Sequence, residues 1–367
     1  MMFWAAIVVL YLTMIRMIVA LTNLVTRPFP GWRMVTRGPL VSVLIPARNE
    51  EKNIGKLLES LTNQTYENFE VIVYNDSSTD GTASVIERFT HPGGRVRHID
   101  GTELPGGWLG KNHACHNLAQ QAAGEYLLFI DADVTTGKDL LSTSVARMQE
   151  QGLELLSIFP YQLMMTRGER VVVPVMNWIL LSLLPLALVR YCRWSSFSAA
   201  NGQFMMFRTS VYKRYWFHSM VRGKLTEDIV IARLMKRMKL RIQTLVSRGE
   251  VSCRMYNGYD EAVNGFAKNV ITMFGDSIPF IVFFAMVSLA GWLVVLTGLG
   301  WWGLVAYILM VGTINVSVAA TGGQRIADSV LLFPERMAAF IIIVIRSLRV
   351  RIGNSYTWKD REISNIQ

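Results

Sequence analysis

Apolar residues in this chain are segregated into long runs, and that segregation limits what the chain can fold into. Residues 3–24, FWAAIVVLYLTMIRMIVALTNL, are broken only by Arg16. Residues 278–299 and 301–320 form two further runs, separated by the GLGWWG turn. Each is long enough to cross about 30 Å of hydrocarbon. Residues 40–260 have ordinary mixed composition instead. Charged residues make up 17% of the chain, too many for a bundle made only of membrane helices. The 367 residues therefore leave room for one or two soluble domains held between membrane segments.

Charge placement orients these segments. The formal net charge is +10, and many of the basic residues flank the apolar runs, as Arg27, Arg33, Arg37, Arg346, Arg349 and Arg351 do. That pattern fits a membrane surface. There is no aromatic–basic interleaving of the kind that binds single-stranded nucleic acid, so no nucleic-acid partner is expected. Basic residues follow the first run rather than precede it, and no A-x-A cleavage site is evident. Residues 1–25 read as an uncleaved anchor that leaves the following segment in the cytoplasm. Cys115, Cys192 and Cys253 are widely spaced, with no CxxC pair, and read as buried thiols rather than a zinc or disulfide framework. Residues 174–190 are apolar but short and contain Pro185, which favours an interfacial segment over a span. Residues 277–348 read as a C-terminal membrane region. Its spans at 278–299 and 301–320 form a hairpin with Trp301 and Trp302 at an interface. The 330–348 stretch is split by Glu335 and Arg336. We read it as an interfacial helix, with a third span as the alternative, before a cytoplasmic tail at 349–367.

Between the membrane runs, residues 38–262 alternate strand and helix signals. LVSVLIP, FEVIVYND, RVRHID and EYLLFIDAD read as strands. NEEKNIGKLLESLTNQ places Ile54, Leu57, Leu58 and Leu61 on one helical face, and TASVIERFT and NHACHNLAQQAAG read as further helices. This alternation predicts an α/β domain with a mostly parallel, doubly wound sheet and helices on both faces. Such sheets bind ligands at the carboxyl ends of their strands.

Carboxylates gather at those ends. Asp76 ends one strand, and Asp131 and Asp133 end another. Asp is a poor strand residue and common in turns, so either motif alone is ambiguous. An Asp-x-Asp pair can share a hard divalent ion, Mg2+ or Mn2+, whose shell is often completed by substrate phosphates. Asp80 is either part of the same ligand turn or the cap of the next helix. Downstream, Thr226, Glu227 and Asp228 precede an amphipathic helix. They are either a cap stabilised by the helix dipole or, if a carboxylate among them faces a bound sugar, a general base.

Six motifs in order, LIPARNEEKNIGKLLESL, VIVYNDSSTDGT, GKNHACHNLA, YLLFIDADV, ANGQFMMFR and LTEDIVIA, resemble glycosyltransferase family 2 across residues 40–260. The flanking membrane segments and the closing YTWKDRE resemble its membrane-bound branch that glycosylates lipids, of the carotenoid and hopanoid type. The resemblance implies the GT-A fold, a nucleotide-diphosphosugar donor and inverting transfer. It places Pro46, Arg48 and Glu50 at the uridine pocket, Asp76 at the uracil or ribose, and Lys111 near the pyrophosphate. Asp131 would contact ribose and metal, and Asp133 would hold the metal. Asp228 would be the catalytic base with Glu227 beside it, and Asn201 and Gly202 would shape the sugar and acceptor side.

Two departures refine this. Asn75 stands before Asp76 where many members have a second Asp. The Gln-x-x-Arg-Trp motif of processive synthases is missing, which favours a single sugar transfer. Arg254 lies in that region, either as a diphosphate contact or as a surface arginine. The expected activity is transfer of a hexose, of the UDP-glucose type, to a lipid hydroxyl at the cytoplasmic face of a bacterial-type inner membrane by a multi-pass protein. The neighbouring readings are polyprenyl-phosphate, glycolipid or polysaccharide-precursor glycosylation, and a non-catalytic scaffold of the same fold.

Overall fold

The computed structural model describes residues 1–26, 28–31, 33–353, 355–358 and 361–364. Arg27 and the last residues of the expected tail lie outside the described residues. Ten strands belong to the central domain. In chain order these are β1 Val41–Ala47, β2 Phe69–Asn75, β3 Val96–Asp100, β4 Tyr126–Ile130, β5 Val134–Thr136, β6 Leu155–Phe159, β7 Tyr161–Gln162, β8 Phe204–Arg208, β9 Ile242–Val246 and β10 Val251–Cys253. Seven form one sheet in the order β3-β2-β1-β4-β8-β6-β9. β1 pairs in parallel with β2 and β4, and β6 with β9, whereas β8 runs antiparallel to both of its neighbours. This is the GT-A arrangement, an α/β sandwich with a mostly parallel sheet.

Both faces of that sheet are covered, which is why its strands read as continuous apolar runs. Val43, Ile45, Val71, Val73, Leu128 and Ile130 face one core with Ile54, Leu57, Leu58 and Leu61 of the Ile54–Thr62 helix. Leu44, Ile72, Leu127 and Phe129 alternate to the other face, against Ala114, Leu118 and Ala119 of the Gly110–Gln121 helix. A small second sheet, β5-β10-β7, sits beyond the carboxyl end of β4. It carries Cys253 to the neighbourhood of Asp133.

Two helices are long and apolar enough to cross a membrane, Met2–Thr26 and Ile278–Thr321. The second is not straight. Gly300 has φ 68°, and a Cβ built on Gly291 would lie 3.1 Å from the Tyr307 hydroxyl. Sixteen residues of straight helix would separate that pair by about 24 Å, so the chain doubles back at Gly300. Positive φ is cheap for glycine. Exposed Trp301 and Trp302 follow at the tip. The N-terminal helix packs along this hairpin through Ala6, Val9, Val295 and Tyr307.

The expected interfacial segment consists of helices Pro174–Leu183 and Leu186–Tyr191, broken at Pro185. Asn23 of the N-terminal helix meets the backbone groups freed by that break. Its amide donates to the carbonyls of Leu181 and Leu184, and its oxygen accepts from the Leu186 amide. Arg16, the one charge inside the first apolar run, donates to Ser182 Oγ at 3.0 Å and lies over the Trp178 and Phe284 rings. The break and the buried charge are thus compensated by the same pair of elements. The last long helix is Phe333–Gly353.

Candidate active site

The parallel strands deliver their carboxyl ends to one edge of the sheet. Pro46, Arg48, Glu50, Asp76, Lys111, Asp131 and Asp133 converge there on a cavity of ≈ 180 Å³. The first wall forms because β1 ends at Ala47 and the chain turns at Asn49, which adopts φ 52°. Arg48 then reaches back, its Nη1 donating to the carbonyls of Asp76 and Ser77 at 2.6 and 3.1 Å. Asp80 takes no part in the cavity wall. Its carboxylate accepts from the Glu51 and Thr82 amides and orders the turn before the Thr82–Glu87 helix. Asn75, at the position of the missing carboxylate, donates to Asp100 Oδ1 at 3.5 Å and accepts from the Ser78 amide.

A second cavity of ≈ 460 Å³ shares Lys111, Asp131 and Asp133 with the first and adds Asn201, Gly202, Glu227 and Asp228. The centre of the site is therefore a chain of charges. Lys111 Nζ lies 2.9 Å from the Asp131 carboxylate and 3.0 Å from Glu227 Oε1. Burial acts to lower the lysine's pKa, but these two carboxylates hold it well above the ordinary value. Gly202 packs against this group. A Cβ there would sit 2.9 Å from both Glu227 Oε1 and Lys111 Nζ.

Asp228 is fixed by backbone. Its Oδ2 accepts from the Gly202 amide at 2.9 Å and its Oδ1 from the Ile229 amide at 2.7 Å. Burial, then the neighbouring Glu227 charge, push its pKa up to about 7, against the pull of Lys111 and those amides. A carboxyl poised near neutrality is suited to proton transfer. The helix-cap role open to Thr226 is not used, since its side chain makes no cap bond to the Glu227–Arg237 helix.

Asp133 is buried, and burial followed by repulsion from Asp131 and Glu50 raises its pKa to about 6. Gln203 Nε2 and the Cys253 thiol donate to it at 3.4 and 3.6 Å. Carboxylates crowded this way stabilise a cation, so the oxygen donors of Asp131 and Asp133 fit a hard divalent ion. Among the described residues no group of three or more His, Cys, Asp or Glu side chains could hold a metal. Phosphate oxygens from a substrate would have to complete the shell.

Of the residues singled out from the sequence as candidates for the site, all reach these two cavities except Asp80 and Arg254. That guanidinium is bound to the buried Glu169 carboxylate at 2.9 Å and lines neither cavity. Burial would raise Glu169, but Arg254 and the amides of Met165 and Thr166 bring it down to about 2. Sequence reading missed three contributors. Asn112 donates to the carbonyls of Val221, Arg222 and Lys224 and so holds the loop leading to Thr226. Its adjacency to Lys111 was the available signal. Cys253 carries no sequence signal, because its role depends on β10 pairing back onto β5, and Gln203, next to Gly202 in ANGQFMMFR, meets Asp133 only through the antiparallel pairing of β8 with β4.

A third, largely apolar cavity of ≈ 580 Å³ opens from Asp228, Asn201 and Thr226. Ile179, Leu180 and Leu183 form one wall, and Met273, Phe274 and Phe280 lead to the base of the hairpin. Arg233 and Arg237 follow Ile229 at four-residue spacing and line the opposite side.

Residues 42–216 match the family model described as glycosyl transferase family 2. A Staphylococcus haemolyticus protein named 4,4'-diaponeurosporenoate glycosyltransferase is 28% identical over 270 residues, covering 71% of this chain and 68% of that protein. The protein of the same name from Staphylococcus aureus is 42% identical over 125 residues, covering 34% of this chain and only 32% of its own length. Among solved structures, a mannosyltransferase from Pyrobaculum calidifontis in complex with GDP-Man and Mn2+ superimposes with a TM-score of 0.53 at 19% identity. That match covers 95% of this chain and 99% of that one, and it shows a shared fold.

Proposed function

We propose that this chain is an inverting, metal-dependent enzyme of glycosyl transferase family 2, whose family model residues 42–216 match. It would move a hexose from a nucleotide-diphosphate sugar, of the UDP-glucose type, to the hydroxyl of a carotenoid-like lipid at the cytoplasmic membrane face. The observation that carries the lipid reading is the apolar cavity that ends on Asp228 and opens toward the hairpin. The name of the curated relatives specifies a carotenoid acceptor for those proteins, which supports the same class here.

The roles follow from position. Pro46, Arg48, Glu50 and Asp76 bind the nucleoside. Lys111 orders Asp131 and Glu227 and lies beside the diphosphate. Asp131 and Asp133 are the residues that would hold Mg2+ or Mn2+, which when bound neutralises charge on the leaving diphosphate. The related fold solved with GDP-Man and Mn2+ is consistent with such an ion. Asp228 takes the acceptor proton as the acceptor oxygen attacks the anomeric carbon. Gly202 leaves room for the sugar beside Glu227. Met2–Thr26 and the two arms of the Gly300 hairpin would span the membrane and keep the catalytic domain on its cytoplasmic side.

One observation favours a variant of this reading. Arg233 and Arg237 line the same cavity as Asp228, and the relatives' name denotes a carboxylate acceptor. A carboxylate nucleophile is already deprotonated at neutral pH and would need no base. Mass spectrometry of lipids from a carotenoid-producing host expressing the chain tests the function. A hexosylated lipid present with the wild type and missing with Asp228→Asn is expected. An unchanged lipid profile with the wild type would contradict the lipid acceptor.

A further inference from the structure

We propose that a fourth, basic cavity at the foot of the hairpin binds the phosphate of an anionic phospholipid headgroup. The cavity measures ≈ 380 Å³ and lies between β7, the Arg167–Val172 helix and the segment from Gln324 to Arg336. It shares no lining residue with the donor or reaction cavities. Three guanidinium groups line it, those of Arg170, Arg325 and Arg336, against the carboxylate of Asp328.

Its polar groups are incompletely matched from within the protein. Arg336 is 1% exposed, yet its Nη1 donates only to neutral oxygens, those of Ser329 and Asn315, at 3.2 to 3.4 Å. Arg170 Nη1 lies 3.6 Å from Asp328. The Nε atoms of Arg170 and Arg336 and both amide atoms of Gln324 are buried with no hydrogen-bond partner among the described residues. Buried donors without acceptors are costly, and Asp328 is the single carboxylate lining the cavity against three guanidinium groups. Guanidinium groups arranged around a cavity of this size match the oxygens of a phosphate group.

The surroundings select a lipid over a free anion. Leu163, Met165, Ile326, Val330 and Leu331 beside the cavity are exposed, Met165 at 71% and Leu331 at 76%. The cavity also begins where the hairpin ends, at Thr321, with a Cβ on Gly323 placed 3.2 Å from the Tyr161 ring. The end of a membrane helix lies at headgroup depth, where basic pockets hold anionic lipids. A phosphate in the cavity with acyl chains over the apolar rim satisfies both features at once. The proposal rests on the membrane placement given above.

The full chain in nanodiscs of phosphatidylcholine, with and without phosphatidylglycerol, tests it, with retained lipid read by native mass spectrometry after transfer to detergent. Phosphatidylglycerol is expected to be retained over phosphatidylcholine. Arg170→Gln and the exposed-site change Arg325→Ala should each weaken retention about fivefold, with binding of the nucleotide sugar unchanged. Leu331→Ser should weaken lipid retention without altering any effect of inorganic phosphate. Equal retention of the two lipids, or no effect of both arginine variants, would overturn the proposal. Lipid retention that inorganic phosphate abolishes but Leu331→Ser leaves unchanged would assign the cavity to a free anion and overturn the lipid source. Recovery of the chain in the soluble fraction would instead contradict the membrane placement, which separates the two failures.

Discussion

The backbone amide of Gly202 donates to Asp228 Oδ2 at 2.9 Å, tying the turn that leads into β8 to the first turn of the Glu227–Arg237 helix. The same glycine lacks the Cβ that would strike Lys111 and Glu227. Gly202→Ala should therefore displace the charged cluster while leaving the fold intact. A shift near 1 Å at the reacting groups costs on the order of 100-fold in kcat/KM. Steady-state transfer assays beside a thermal melt check this. A wild-type rate would show that the close approach is irrelevant to turnover.

Asp228 links activity to pH and to stability in opposite directions. With a hydroxyl acceptor, kcat/KM should rise with pH through a limb near 7, where the carboxyl deprotonates. Its folded pKa stands above the unfolded carboxylate value of 3.8. The stabilisation from protonated Asp228 is thus fully present below about pH 4 and lost as pH rises toward 7, by on the order of 1 kcal/mol per unit crossed. Asp228→Asn should accordingly gain more thermal stability over wild type at pH 8 than at pH 5, because only the first part of the window from 3.8 to about 7 has been crossed at pH 5. Melting curves at the two values decide it, and an equal difference at both would refute the assignment.

Lys111 is the cation between Asp131 and Glu227. Lys111→Met leaves two carboxylates facing each other in a site that excludes much of the solvent. Removing one partner of such a buried pair destabilises by about 3 kcal/mol. Nucleotide-sugar affinity should fall as well. Calorimetric titration with the donor, alongside the melt, tests both effects. Unchanged affinity would remove Lys111 from the donor site.

The apolar cavity predicts a defect confined to one substrate. Leu183→Trp would fill part of the passage between the Pro174–Leu183 helix and Phe280. Acceptor KM should rise about tenfold or more, as expected for lost apolar contact and steric overlap. Hydrolysis of the donor in the absence of acceptor should stay unchanged. Equal loss in both assays would show that the cavity does not guide the acceptor.

Much of this site was legible from local sequence because its residues sit at strand ends. Periodicity located β1, β2 and β4, and the residues that follow a parallel strand reach the ligand edge by topology alone. Asp76, Asp131 and Asp133 were found in that way. Asp228 needed the resemblance, since a Thr-Glu-Asp sequence before a helix reads equally well as a cap. The contact of Cys253 with Asp133 depends on a long-range pairing of β5 with β10, and that of Gln203 on the pairing of β4 with β8, neither of which a local pattern encodes. The pairing of Arg254 with Glu169 was likewise invisible, because the two residues lie far apart in sequence. The Gly300 reversal was readable from the GLGWWG turn. The use of Asn23 to satisfy the break at Pro185 was not, since it depends on how two helices cross.

The central claim is metal-dependent hexose transfer with Asp228 as base. It is tested most directly with purified protein in nanodiscs, a UDP-hexose labelled in the sugar, a hydroxylated carotenoid and Mn2+. The measurement is label extracted into the organic phase, for wild type and Asp228→Asn, before and after chelation. Wild type should transfer label, lose the activity on chelation and regain it with Mn2+. Asp228→Asn should transfer about 1,000-fold more slowly while still binding the donor. Near wild-type transfer by Asp228→Asn, or transfer unaffected by chelation, would contradict the claim.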